Sequence, residues 1–171
     1  MQRVLTIALT FMLLVVASPL LHQLGLSFYA PDFGLIAVLY VAAATPLTSG
    51  MLVVFIIGLL KDAFALGSPI GLYTHIAVVV FLLARGLSGR MNIRSLVTAI
   101  LVTFFASIVS SVLFLGLSAV FDRTFDSFDV ILRMMLPQAM VTAPFAPILF
   151  ALFDKADRVV SRKGSRTTLF R

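Results

Sequence analysis

The sequence contains no cysteine, which excludes disulfide frameworks, thiolate metal sites and haem attachment through sulfur, and leaves the redox compartment unread. Glutamate is also missing, so all 7 acidic residues are aspartates. The two histidines, His22 and His75, stand far apart, and no cluster with metal-ligand spacing is present; no metal and no cofactor is expected. Charge of either sign is scarce. Only 12% of residues are charged while 61% are apolar, and a soluble domain carries about a quarter charged. Such a composition describes a polytopic membrane protein. The formal net charge of +6 raises nucleic acid as a partner. The basic residues, however, gather where apolar runs end rather than on a polar domain with interleaved aromatics, so the bilayer is the expected partner and nucleic acid is not.

What is present is a series of six apolar runs, expected as transmembrane helices over about 4–21, 33–45, 50–66, 72–87, 95–120 and 130–153, followed by a basic tail over 154–171. The first run, behind Arg3, also fits a signal peptide with Val15-Val16-Ala17 as cleavage site. Its length and the immediate Pro19 favour a retained helix. Pro31-Asp32 is a start signal for the second helix. That helix is short for a span, which implies little tilt or locally thinned lipid. In the fifth, Ser107 and Ser111 lie four apart beside Ser110, a small-polar patch suited to helix packing and lacking the base a nucleophile needs. In the sixth, Pro137, Pro144 and Pro147 are expected to kink the helix. Before them, Asp129 and Arg133 lie opposite the apolar Phe128, Ile131, Leu132 and Met135, the pattern of an interfacial turn.

The most informative stretch is Gly58-Leu59-Leu60-Lys61-Asp62, followed by Gly67-Ser68-Pro69-Ile70-Gly71. Asp62 is read as the acid that lies inside a hydrophobic segment, and a carboxylate there needs a partner or a proton. Gly58 lies one turn before Asp62, and Gly50 two turns further back, leaving a bare face for another helix. Lys61 is expected to snorkel outward while Asp62 faces inward. Asp62 and His75 flank one tight turn and are expected at similar depth, within hydrogen-bonding reach, as a structural polar pair ahead of any proton relay.

Charge asymmetry sets the orientation. Arg3, Arg85, Arg90, Arg94 and the tail residues Lys155, Arg158, Arg162, Lys163, Arg166 and Arg171 fall on one side, against Lys61 and Arg123 on the other and Arg133 near that boundary. Both termini are therefore expected in the cytoplasm, with Arg85, Arg90, Arg94, Arg158, Arg162, Lys163 and Arg166 as cytoplasmic basic contacts.

The Gly58–Asp62 helix end and the Gly67–Gly71 turn resemble the signature of the bacterial rod shape-determining MreD family, in which Gly-x-x-x-Asp leads to Gly-Ser-x-x-Gly. Helix number, chain size and the proline-containing last helix are in keeping, while Lys61 departs from a commonly apolar position. The resemblance implies a non-enzymatic inner-membrane connector of the elongasome, the cell-wall synthesis machinery that sets rod shape. The implied partners are MreC, MreB and the synthases penicillin-binding protein 2 and RodA; self-association is left open. It also implies an all-α bundle similar to the S-component fold of energy-coupling-factor transporters. The alternative function is thus a small-molecule-binding transporter subunit. An intramembrane enzyme is disfavoured, since no paired acid, base or nucleophile is visible.

Overall fold

The computed structural model describes residues 6–15, 31–64, 71–88, 95–121 and 128–167, with side chains described as far as 158. The described residues form six α-helices: α1 Thr6–Val15, α2 Phe33–Ala44, α3 Leu47–Phe64, α4 Leu72–Ser88, α5 Leu96–Phe121 and α6 Phe128–Thr167. The chain is thus all-helical in these residues. α3, α5 and the Phe128–Arg158 part of α6 are long and apolar enough to cross a membrane, while α1, α2 and α4 are shorter apolar helices.

The helix at the centre is α2. Every residue from Gly34 to Ala42 is buried, the state expected of a helix that is apolar on all sides. It touches α3, α4, α5 and α6. Its 12 residues make only about 18 Å of helix against a hydrocarbon layer of about 30 Å. Beside the expected little tilt or locally thinned lipid, the packing offers a simpler explanation. A helix enclosed by its neighbours presents no side to lipid and need not match its thickness.

Around it, α3 buries Ser49, Gly50, Val53, Val54, Ile57 and Gly58 and exposes Met51, Leu52, Phe55, Ile56 and Leu59, a clean division into inner and outer faces. It begins at Leu47, earlier than the expected residue 50, because Pro46 is tolerated at a helix start and its carbonyl accepts the first bond, from Gly50 N at 2.8 Å. The bare glycine face meets α4. A Cβ on Gly58 would lie 2.6 Å from the Thr74 Cα, and one on Gly50 would lie 2.7 Å from Phe81 Cζ. On α5 the buried positions Ala99, Thr103 and Ser107 recur every four residues, and Ser111 Oγ donates to the Ser107 carbonyl at 3.1 Å. This small-residue stripe suits close packing, and α5 packs along α6, which buries Ala139, Thr142, Ala143 and Ala146.

α6 runs for 40 residues with Pro137, Pro144 and Pro147 inside it. Two expected pieces, the interfacial turn before the last span and the basic tail after it, are both continuous with that one helix as far as Thr167. α6 runs parallel to α2: Phe33 meets Phe145 edge-on at 6.3 Å, and about two turns further along both helices Tyr40 stacks on Phe153 at 4.9 Å.

Candidate functional site

Polar side chains concentrate at the two ends of α2. At its beginning, Asp32 is the N-cap, its Oδ1 accepting from Leu35 N at 2.9 Å. A cap of this kind contributes about 1 kcal/mol and satisfies one of the helix's orphan donors. Its other oxygen, Oδ2, takes the ammonium of Lys61. The Lys61 Nζ also sits 4.6 Å from the centre of the Tyr73 ring, and that ring packs against Phe114 of α5 at 5.4 Å. The Asp32 backbone N–H donates to Thr142 Oγ1 of α6 at 3.2 Å, while the Thr142 hydroxyl donates to the Gln138 carbonyl at 2.7 Å.

Asp62, next along α3, caps a different helix. Its Oδ1 accepts from Tyr73 N at 2.9 Å, and its Oδ2 accepts from Thr74 N at 3.1 Å and from the Thr74 hydroxyl. These are the orphan donors at the start of α4, delivered to a carboxylate from a neighbouring helix. Gly58 makes the approach feasible, since any side chain there would collide with the Thr74 backbone. Gly71 leads into α4 with φ +94°, a conformation that favours glycine.

Charge nearly cancels in this cluster. Two carboxylates carry −2, Lys61 carries +1, and the starts of α2 and α4 supply roughly +0.5 each from their aligned peptide dipoles. Each charge has a partner of opposite sign, which offsets the cost of placing the cluster among apolar helices. Chemically it is a fastener: it joins α2, α3, α4 and α6 at one level, with α5 touching through Phe114.

Two sequence expectations are corrected here. Lys61 does not snorkel outward but turns inward to Asp32, because it continues the inner face of α3 set by Val53 and Ile57. Asp62 does not pair with His75. That imidazole is exposed, with its Nδ1 at 2.7 Å from the Gly71 carbonyl, while the α4 backbone and Thr74 occupy Asp62. Gly67 lies outside the described residues.

At the other end of α2 the Tyr40 hydroxyl meets two carboxylates of α6, Asp154 Oδ1 at 3.0 Å and Asp157 Oδ2 at 2.8 Å. Arg85, one of the expected cytoplasmic basic contacts, is half-buried and donates to the Ala42 carbonyl at 2.9 Å. A cation at the C-terminal end of a helix complements its dipole, so α2 carries an acid at its start and a base at its finish. Ser88 Oγ adds a long contact of 3.5 Å to the same carbonyl. Beside Tyr40 is a cavity of about 120 Å3 lined by Thr6, Thr45, Pro46, Val53 and Asp157. Arg158 is exposed on α6. Arg162, Lys163 and Arg166 fall on the helical backbone of α6, their side chains outside the described set, and Arg90 and Arg94 lie outside it altogether.

Sequence reading missed Tyr40, Asp154 and Asp157 as a group. The available signal was a lone phenol in the all-apolar run 33–44 and two acids three apart where an apolar run ends. It read Asp32 as a helix start without supplying its partners, since Lys61, Tyr73 and Thr142 come from other helices.

Compared with known protein families, residues 1–156 match MreD, the rod shape-determining protein. The chain belongs to the MreD family. Neither curated proteins nor solved structures give a match. Membership makes this a shape-determining protein, in agreement with the resemblance carried by Gly58–Asp62. The matched residues include both ends of α2 and stop inside α6, ahead of Arg158.

Proposed function

We propose that this MreD-family chain is a non-enzymatic scaffold of the bacterial rod-shape cell-wall synthesis machinery, set in the inner membrane by six spans with both termini cytoplasmic. In that orientation the Asp32 end of α2 faces the periplasm and the Tyr40 end the cytoplasm. The distribution of Arg and Lys supports it, because the basic loop after α4 and the basic end of α6 then share the cytoplasmic side. One observation carries the scaffold reading: Asp32, Lys61 and Asp62 are all engaged in holding helix ends together. A group so engaged positions surfaces for other proteins. By family resemblance those are MreC, MreB, penicillin-binding protein 2 and RodA.

The transporter-subunit alternative, with its S-component-like bundle, draws less support. The cavity beside Tyr40, about 120 Å3, has room for a few waters and is itself smaller than pockets for organic ligands, which measure about 300–1,000 Å3. Mass spectrometry of the intact protein, released from membranes with its partners, separates the two. A bound bitopic protein in stoichiometric amount supports the scaffold, and a retained stoichiometric small molecule without protein partners overturns it.

A further inference from the structure

α6 continues past the point where its apolar sequence ends. Phe153 is buried, yet the helix runs on to Thr167, and fourteen residues from Asp154 to Thr167 add about 21 Å. The base of this extension is fixed. Asp154 and Asp157, three residues apart and so on one face, both reach Tyr40 of the central helix. At 100° per residue, positions 155, 158, 162 and 166, separated by three, four and four, fall along one stripe on the flank next to that face. All four are basic: Lys155, Arg158, Arg162 and Arg166. Lys155 and Arg158 are exposed.

With the membrane orientation proposed above, on which this inference rests, the hydrocarbon boundary is set at Asp154, where the apolar sequence of α6 ends. The headgroup layer on one side is about 5–7 Å deep. Lys155 and Arg158 lie about 2 and 6 Å along the axis from Asp154 and so fall within that layer, whereas Arg162 and Arg166 lie about 12 and 18 Å out. A tilt of about 20° shortens these distances by under a tenth. The distal pair therefore stands beyond the headgroups, with Arg166 more than a Debye length of about 8 Å past them. Arg162 thus stands just outside the headgroups, and Arg166 gains little from the charge of the same bilayer.

We infer that the distal part of this stripe, Arg162 and Arg166, is a docking surface for the acidic face of a cytoplasmic protein, while Lys155 and Arg158 hold the helix at the membrane surface. The surface is helical, so the register of its charges matters as well as their number.

The absence of cysteine allows a clean test on the full chain. Ser165→Cys carries a single spin label in nanodiscs of phosphatidylcholine alone or with phosphatidylglycerol, and a polyglutamate peptide of about twenty residues serves as acidic probe. The label is expected to stay open to a water-soluble relaxation agent in both lipids. Arg162→Gln and Arg166→Gln should each weaken peptide binding about two- to fivefold, and Gly164→Pro, which interrupts the helix before Arg166, should weaken it like Arg166→Gln. A label shielded in the anionic nanodisc would assign the stripe to lipid. Equal peptide binding by the wild type and the Arg162→Gln/Arg166→Gln double variant would overturn the inference. Labelling of Ser165→Cys by an impermeant maleimide in spheroplasts, from the periplasmic side, would instead refute the membrane placement, a result separate from either binding outcome.

Discussion

The two ends of α2 solve the same problem differently. At the Asp32 end, two carboxylates, one ammonium and two helix starts form a closed set in which each charge meets its opposite. At the Tyr40 end, one phenol is shared by two carboxylates beside a cavity, and α6 carries on outward from them. The first set closes on itself and locks helices together, whereas the second is open in that the helix carrying its carboxylates continues outward. The helix between them is capped by an acid at its start and by Arg85 at its finish, so both designs act on one rigid element.

If that contrast is right, removing a charge from the closed end should cost most. Lys61→Met strands the Asp32 carboxylate, and loss of one partner from a buried pair costs about 3 kcal/mol. Unfolding of the protein in detergent micelles should register it. The Asp32→Asn/Lys61→Gln double variant should recover most of the loss, because Asn still caps α2 and no charge is left alone. A double variant as unstable as Lys61→Met would break the account of that end.

Next in size is Gly58→Ala. Its methyl would press on the Thr74 backbone and prise Asp62 from the start of α4, an overpacking cost of about 2 kcal/mol. Gly86 has nothing within 4 Å of the position a Cβ would take, so Gly86→Ala in the same assay should be neutral or slightly stabilising.

At the open end the expected effect is smaller. Tyr40→Phe keeps the ring on Phe153 and removes only the hydroxyl, a loss of about 1–2 kcal/mol for a bond to charged acceptors. A larger loss than for Lys61→Met would reverse the comparison. Smallest of all, His75→Ala should change stability by less than about 0.5 kcal/mol, since the imidazole is exposed and bonds only to its own helix start.

The order of these effects also marks how far the sequence could be read. Helix positions follow from apolar runs broken by Pro31, Pro46 and Gly71, because local signals set helix starts. The glycine face of α3 was legible for the same reason: Gly50, Gly58 and Asp62 share one helical register. Partners were not legible, because Lys61 to Asp32 and Tyr40 to Asp157 join residues 29 and 117 positions apart, and the parallel pairing of α2 with α6 exists only in three dimensions. The direction of Lys61 could have been read from its place after Val53 and Ile57. Snorkelling applies to a cation with no internal partner, and Asp32 is one.

The central claim, that the closed end is a structural fastener, is tested most directly at Asp62. Rod shape is scored in cells that depend on Asp62→Asn or Asp62→Leu, with membrane abundance measured alongside. Asn keeps one of the two acceptor oxygens used by the start of α4 and should retain shape and abundance better than Leu, which leaves Tyr73 N, Thr74 N and the Thr74 hydroxyl all without their acceptor. Loss of rod shape in both variants at normal abundance would contradict the account.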